Sequence, residues 1–129
     1  MIKCVCLVEE KDDKILLVQV RNREKYYFPG GKIDDGESYV EALQRELKEE
    51  LCLDLAEEEL EFIGTVVGEA YPQPDTRTEL NGFRTTRSID WSKITTDNEI
   101  TDIQWFDIKD TEYIAPAVIT WINQFSKKD

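Results

Sequence analysis

The chain has 129 residues, 40% of them hydrophobic and 10% aromatic, enough for one domain spanning 1–129 with its own core and too apolar for a disordered segment. A net charge of −12 and a pI near 4.4 weigh against nucleic acid polymers and anionic membranes as partners, but not against a small polyanion bridged by cations. Histidine is absent, which removes Ser-His-Asp and Cys-His catalysis and histidine-ligated zinc, and leaves carboxylates to carry acid–base or metal chemistry.

From the N-terminus, Ile2 to Val8 is an apolar, β-branched run and Lys14 to Val20 (KILLVQV) is another. Both are expected as strands, with the polar EEKDDK between them as a hairpin loop. Cys4 and Cys6 share one face of the first strand and are expected as core fillers. Three cysteines with no secretory leader suit a reduced, cytoplasmic setting. In the following RNREKYY, Arg21, Arg23 and Lys25 either steer phosphates or form a charged, solvated loop. Phe28-Pro29-Gly30-Gly31 is a strong break.

Ser38 to Leu51 reads as a helix, because Val40, Leu43, Leu47 and Leu51 recur as one apolar stripe. Glu57-Glu58-Glu59 has nothing to organise it and reads as wet surface. Glu61 to Val67, Gly82 to Trp91 and Ile103 to Ile108 read as strands joined by polar loops, of which YPQPDTRTELN is the clearest. Ile114 to Phe125 closes the chain as a helix with Ile114, Val118, Ile119, Ile122 and Phe125 on one side. No uncharged apolar run approaches the ~20 residues needed to span a membrane. Strands interleaved with two helices predict an α/β sandwich, and hairpins combined with long crossovers predict a mixed sheet.

The informative stretch is GGKIDDGESYVEALQRELKEELCL, Gly30 to Leu53. On a helical wheel Glu46, Glu49 and Glu50 cover roughly a 100° arc beside the apolar stripe. Arg45 stands four residues from both Glu41 and Glu49 and pairs with either. Three carboxylates so placed repel one another, and a hard divalent cation with a preference for oxygen ligands relieves that repulsion. The Gly30-Gly31 turn lets backbone approach the same place, and Glu37 closes the loop near the positive end of the helix dipole. Taken alone, the helix also reads as an acidic solvated face with ion pairs.

The stretch from Gly31 resembles the Nudix box, G-x5-E-x7-R-E-U-x-E-E-x-G-U, where U is a bulky aliphatic residue. Gly31, Glu37, Arg45-Glu46-Leu47, Glu49-Glu50 and Leu53 all fall at the required spacings. Cys52 stands where the pattern has glycine; it either adopts the left-handed conformation at a strain of about 1 kcal/mol or ends the helix differently.

The resemblance implies a Nudix-type α/β/α sandwich with a mixed β-sheet, and a MutT-like pyrophosphohydrolase acting on a nucleoside triphosphate or another nucleoside diphosphate derivative to release a nucleoside monophosphate. It implies Mg²⁺, with Mn²⁺ as a substitute, held by Glu46, Glu49, Glu50 and the Gly30 carbonyl. Arg45 would orient the glutamates and Glu37 would support the loop. Either a box glutamate or Glu99, six residues before Trp105, would be the general base. Lys32 and Arg23 are candidate phosphate contacts. Phe28 and Tyr26 are candidate contacts to the substrate, although Tyr26 equally reads as core.

The implied partner is a small-molecule nucleotide; a homodimer is one assembly compatible with the sequence, which does not give the oligomeric state. Two alternatives stand beside this reading. One is a nucleotide-binding regulator on the same fold without catalysis. The other is a dinucleoside polyphosphate hydrolase, for which Tyr71, 18 residues after Leu53, is the signal. Val118 stands where mutT-type relatives often carry an Asn or Asp that hydrogen-bonds the base, so recognition of 8-oxo-guanine is in doubt.

Overall fold

The computed structural model describes residues 1–73, 75–96 and 99–126. Its strands are β1 (Ile2–Leu7), β2 (Glu10–Lys11), β3 (Lys14–Val20), β4 (Gly30–Lys32), β5 (Leu60–Glu69), β6 (Arg77–Thr85) and β7 (Ile100–Asp107), with helices α1 (Tyr39–Leu51) and α2 (Pro116–Trp121). Alternation along β1 sets the architecture, since successive side chains of a strand point to opposite faces. Val5 and Leu7 are buried with Leu43, Leu47 and Leu51 of α1, whereas Cys6 is buried with Val118 and Trp121 of α2. Burial of each leucine on the α1 stripe contributes roughly 1.5–3 kcal/mol.

β1 lies inside a four-stranded sheet of order β4-β1-β6-β5, parallel to β6 and antiparallel to β4, so that sheet is mixed as expected. A second sheet, β2-β3-β7, is antiparallel.

The first two long strands do not pair, which corrects the expected hairpin. β1 takes β4 and β6 as neighbours, while β3 lies in the other sheet. The hairpin is the short β2–β3 unit, with Lys11 opposite Lys14 and a turn at Asp12 and Asp13. Both turn residues have positive φ, 52° and 63°, which two-residue hairpins favour and aspartate tolerates. The EEKDDK segment therefore supplies three strand residues, Glu10, Lys11 and Lys14, as well as a turn.

The polar segment YPQPDTRTELN is also corrected: from Arg77 onward it is strand β6, which ends at Thr85, and Trp91 sits in a 3₁₀ turn at Trp91–Lys93. Thr78 and Asn81 are buried polar residues, tolerated because they are bonded. The Asn81 Nδ2 donates to the Cys4 carbonyl at 3.1 Å, and the Thr65 hydroxyl donates to Asn81 Oδ1 at 2.7 Å. Glu57–Glu59 forms a 3₁₀ turn in which Glu59 accepts from the Ala56 amide.

Helix α1 starts one residue late, with Ser38 as its cap. The Glu41 amide donates to the Ser38 hydroxyl at 3.1 Å and the Ser38 amide donates to the Glu41 carboxylate at 2.9 Å, a reciprocal capping box. At the other end Cys52 adopts the left-handed conformation, φ 52° and ψ 33°. Of the two expected outcomes, strain at an unchanged helix end is the one realised. Cys52→Gly is predicted to stabilise the fold by about 0.5–1 kcal/mol, after glycine's larger unfolded-state entropy is counted. The melting temperature should rise by about 2–5 °C; a fall would mean that the exposed thiol makes a compensating contact.

The closing helix is shorter than expected. Pro116 opens α2 at its first turn, where proline is favoured, and the chain beyond Trp121 continues as a π-helical turn, Ile122–Ser126. Ile114, Val118 and Ile122 are buried, whereas Phe125 is exposed beside Trp121, ring centroids 4.4 Å apart. Among the described residues no helix is long and apolar enough to cross a membrane.

Candidate active site

A cleft of about 470 Å³ is lined by β1, the segment Gly30–Lys32, α1 and the start of α2. Glu46 and Glu50 of α1 line it together with Gly30, Gly31 and Lys32. Local backbone explains how they meet. Gly30 has φ 141°, and a Cβ there would lie 2.1 Å from the Val5 carbonyl oxygen. Only glycine lets β4 approach β1 this closely. The Gly30 amide then donates to Glu50 Oε1 at 3.0 Å. A Cβ on Gly31 would lie 2.7 Å from the Glu46 carboxyl group, so the pair of glycines brings backbone against both carboxylates.

Glu50 is half-buried, and loss of water around its carboxylate pushes it up to about 8; the Gly30 amide opposes this, while the charges of Glu46, Glu49 and Glu99 add to it. Burial also raises Glu46, against the pull of Arg45. Arg45 gathers the loop and the helix. Its Nε and Nη2 donate to the two Glu37 oxygens at 2.7 and 2.9 Å, its Nη1 to Glu46 at 2.8 Å, and its Nη2 to the Lys32 carbonyl at 3.2 Å.

The expected pairing of Arg45 with Glu41 does not form, because Glu41 is engaged in the helix cap. Glu49 is a looser partner of Arg45 at 3.6 Å. Arg45, with help from the Asp34 amide, holds Glu37 down to about 2.

The donor set suits a hard divalent cation: oxygen ligands only, one of them desolvated with its charge opposed by a single amide dipole and reinforced by three other carboxylates. As the side chains stand, Glu46 and Glu49 lean toward Arg45. Among the described residues no three acidic or cysteine side chains are drawn together tightly enough to hold one ion. Gathering them requires rotation of Glu46 and Glu49 away from the guanidinium.

Lys32, Arg23, Phe28 and Glu99 all line the cleft. Arg23 Nη1 donates to the Tyr27 hydroxyl at 2.8 Å. Lys25 is used elsewhere, donating to the Glu112 carbonyl. Tyr26 is a correction: it is a core residue, with its hydroxyl donating to Asp102 at 2.5 Å and its ring 4.8 Å from Phe106. Burial pushes Tyr26 up to about 12.

The next residue, Tyr27, lines the cleft instead, its ring 5.7 Å from that of Tyr71. Adjacent residues in extended chain face opposite ways, and Tyr27 pairs with Val18 in an isolated bridge. Sequence reasoning did not find Tyr27, Thr78 or Glu69 as lining residues. The parity of the Tyr26-Tyr27 pair was the available signal for the first. Cys4 lines the cleft and accepts from the Thr78 hydroxyl at 3.5 Å; burial pushes its thiol up. Val118 is buried in the cleft wall.

The sequence matches the family profile for the NUDIX domain over residues 2–125. Over 46 residues it is 48% identical to the human 8-oxo-dGDP phosphatase, a match covering 33% of this chain and only 14% of that protein's length. The MutT NUDIX hydrolase of Burkholderia pseudomallei superposes with a TM-score of 0.73 at 18% identity, covering 96% of this chain and 97% of that one. The dihydroneopterin triphosphate pyrophosphohydrolase of E. coli superposes at 0.66 and 22% identity, covering 95% and 93%. At such identities these two superpositions show a common fold.

Proposed function

The chain belongs to the NUDIX domain family, and from that membership we propose that it is a Mg²⁺-dependent hydrolase that cleaves the diphosphate linkage of a nucleoside triphosphate or another nucleoside diphosphate derivative, releasing a nucleoside monophosphate. The observation that carries this reading is Glu50: a desolvated carboxylate at the cleft, beside Glu46 and against the Gly30 amide, where a cation relieves the crowded negative charge.

Glu46, Glu49, Glu50 and the Gly30 carbonyl would hold Mg²⁺, or Mn²⁺ in its place. When bound, such an ion neutralises the diphosphate and activates water for attack on phosphorus. Arg45 holds Glu46 in the cation-free site and, through Glu37, fixes the loop that carries Lys32. Lys32 and Arg23 contact phosphate oxygens as cations. Tyr27, Tyr71 and Phe28 offer aromatic surface for the base. Glu99 accepts the proton of the attacking water. As the new P–O bond forms, the bridging P–O bond breaks and its electron pair leaves with the departing phosphate.

The test is release of nucleoside monophosphate by the purified chain with Mg²⁺. The panel comprises dNTPs, 8-oxo-dGDP and other oxidised nucleotides, ADP-ribose and nucleotide sugars, and dinucleoside polyphosphates. Products above a Glu50→Gln control are expected for at least one class. Their absence on every class, from folded protein, would overturn the hydrolase reading.

Glu50 also predicts a pH signature for cation binding. Its folded-state value of about 8 lies above the ordinary 4.5. The resulting stabilisation of the metal-free protein is full below about 4.5 and is lost as pH rises through about 8. Mg²⁺ should therefore raise the melting temperature more at pH 8.5 than at pH 6, since binding requires the ionised carboxylate. Differential scanning fluorimetry with and without Mg²⁺ checks this, and equal shifts at the two pH values would contradict it.

A further inference from the structure

At the end of β3 Arg21 is held in a conformation that arginine does not favour. The β3–β7 register shifts between Gln19 and Val20, and Arg21 and Asn22 follow with φ 49° and 57°. The Arg23 amide closes the turn on the Val20 carbonyl at 3.0 Å. Asparagine tolerates the left-handed region, whereas an arginine persists there only where its surroundings determine it.

Several bonds do so here. The Asn22 amide donates to the Thr101 hydroxyl at 3.0 Å, Thr101 donates to Gln19 Oε1 at 2.9 Å, and Gln19 Nε2 donates to the Arg23 carbonyl at 3.0 Å. The Arg21 amide donates to the Glu99 carbonyl at 2.9 Å, and the Arg21 guanidinium meets the Glu99 carboxylate.

An exposed ion pair contributes little to stability, and both of these side chains are exposed. Its consequence lies in where it puts charge. Glu99 lines the cleft that also holds Glu46 and Glu50, and its charge acts on Glu50. A further carboxylate facing that cluster is repelled toward solvent unless a cation holds it.

We propose that Arg21 is a positioning residue that keeps the Glu99 carboxylate at the cleft, so that it is in place to take the proton of the attacking water. The proposal rests on the hydrolase reading above. It differs from the alternative that Arg21 steers phosphate, and the two make opposite kinetic predictions.

With the best substrate from the panel, Arg21→Ala should lower kcat about 10- to 100-fold and leave KM within about twofold, a part of the roughly 10²–10⁴-fold that a general base contributes. Arg21→Lys should recover most of the loss. In a Glu99→Gln background, Arg21→Ala should change kcat by less than about twofold, because its effect passes through Glu99. A raised KM with unchanged kcat would overturn the proposal in favour of a phosphate contact, as would an undiminished loss in the Glu99→Gln background.

A readout independent of turnover is the ¹⁵Nε resonance of Arg21 in metal-free protein. It should move in Glu99→Gln, and a stationary signal would overturn the pair. Active wild type with an Arg21→Ala variant of unchanged kcat defeats this proposal alone, whereas wild type without any turnover defeats the hydrolase reading.

Discussion

Glu50→Gln is expected to lower turnover by about 100- to 1,000-fold, while the metal-free protein becomes more stable above pH 8. The activity loss follows from removing the charge that faces the cation and the developing charge on phosphorus; single groups with such roles are commonly worth about 10²–10³ in kcat. The stability gain has a separate origin. The Glu50 carboxylate is desolvated and surrounded by like charge, whereas glutamine is neutral and its Oε1 can still accept from the Gly30 amide that now bonds Glu50.

The pH dependence described above should also flatten in this variant, and the Mg²⁺-induced rise in melting temperature should shrink. Kinetics with the active substrate and thermal melts at pH 6 and 8.5 measure both. An inactive variant that melts several degrees below wild type at pH 8.5 would mean that Glu50 holds the fold together rather than serving the cation.

Gly30→Ala is expected to be the most damaging change that adds only a methyl group. Its Cβ would lie 2.1 Å from the Val5 carbonyl oxygen and 2.7 Å from the Cys6 Cα. Both obstacles are backbone of a central strand, which cannot rotate aside. Alanine also disfavours φ 141°. Either β4 parts from β1 or the turn rearranges, at about 3 kcal/mol or more from combined overpacking and backbone strain.

The melting temperature should fall by about 10 °C. Displacement of the Gly30 amide from Glu50 should lower turnover about 100-fold in the protein that remains folded, since misplacement of a group by about 1 Å has losses of that order. A variant melting within 2 °C of wild type would contradict the close approach of β4 to β1.

What was legible in the sequence was what local rules govern. The α1 stripe of Leu43, Leu47 and Leu51, a helix start within one residue of Tyr39 and the clustering of Glu46 and Glu50 with the glycine turn all follow from periodicity and turn residues over a short window. The left-handed strain at Cys52 was one of two foreseen outcomes.

What was not legible depends on pairing between distant segments. β1 and β3 look like a hairpin by their spacing, yet β1 pairs with β6 some 75 residues onward, Cys4 opposite Leu80. The first part of β6, Arg77 to Asn81, reads as a loop because Thr78 and Asn81 are polar, whereas Gly82 to Thr85 reads as strand; only the partners of Thr78 and Asn81 in β1 and β5 make them core. Arg45 has two helix-spaced acids to choose from, and the capping box removes one of them. Its bidentate hold on Glu37 spans eight residues of loop and helix that no periodicity describes. Tyr26 and Tyr27 are chemically alike, and which of them enters the cleft is set by the bridge between Tyr27 and Val18.

The central claim is that α1 holds a divalent cation on Glu46, Glu49 and Glu50 at the cleft. Electron paramagnetic resonance of Mn²⁺ titrated into the protein at pH 8 tests it most directly, because free Mn²⁺ is read without a substrate. Wild type is predicted to remove Mn²⁺ from the free pool, with competition by Mg²⁺, and Glu50→Gln is predicted to weaken that binding at least about tenfold. Equal Mn²⁺ uptake by wild type and by a Glu46→Gln, Glu49→Gln, Glu50→Gln triple variant would contradict the claim.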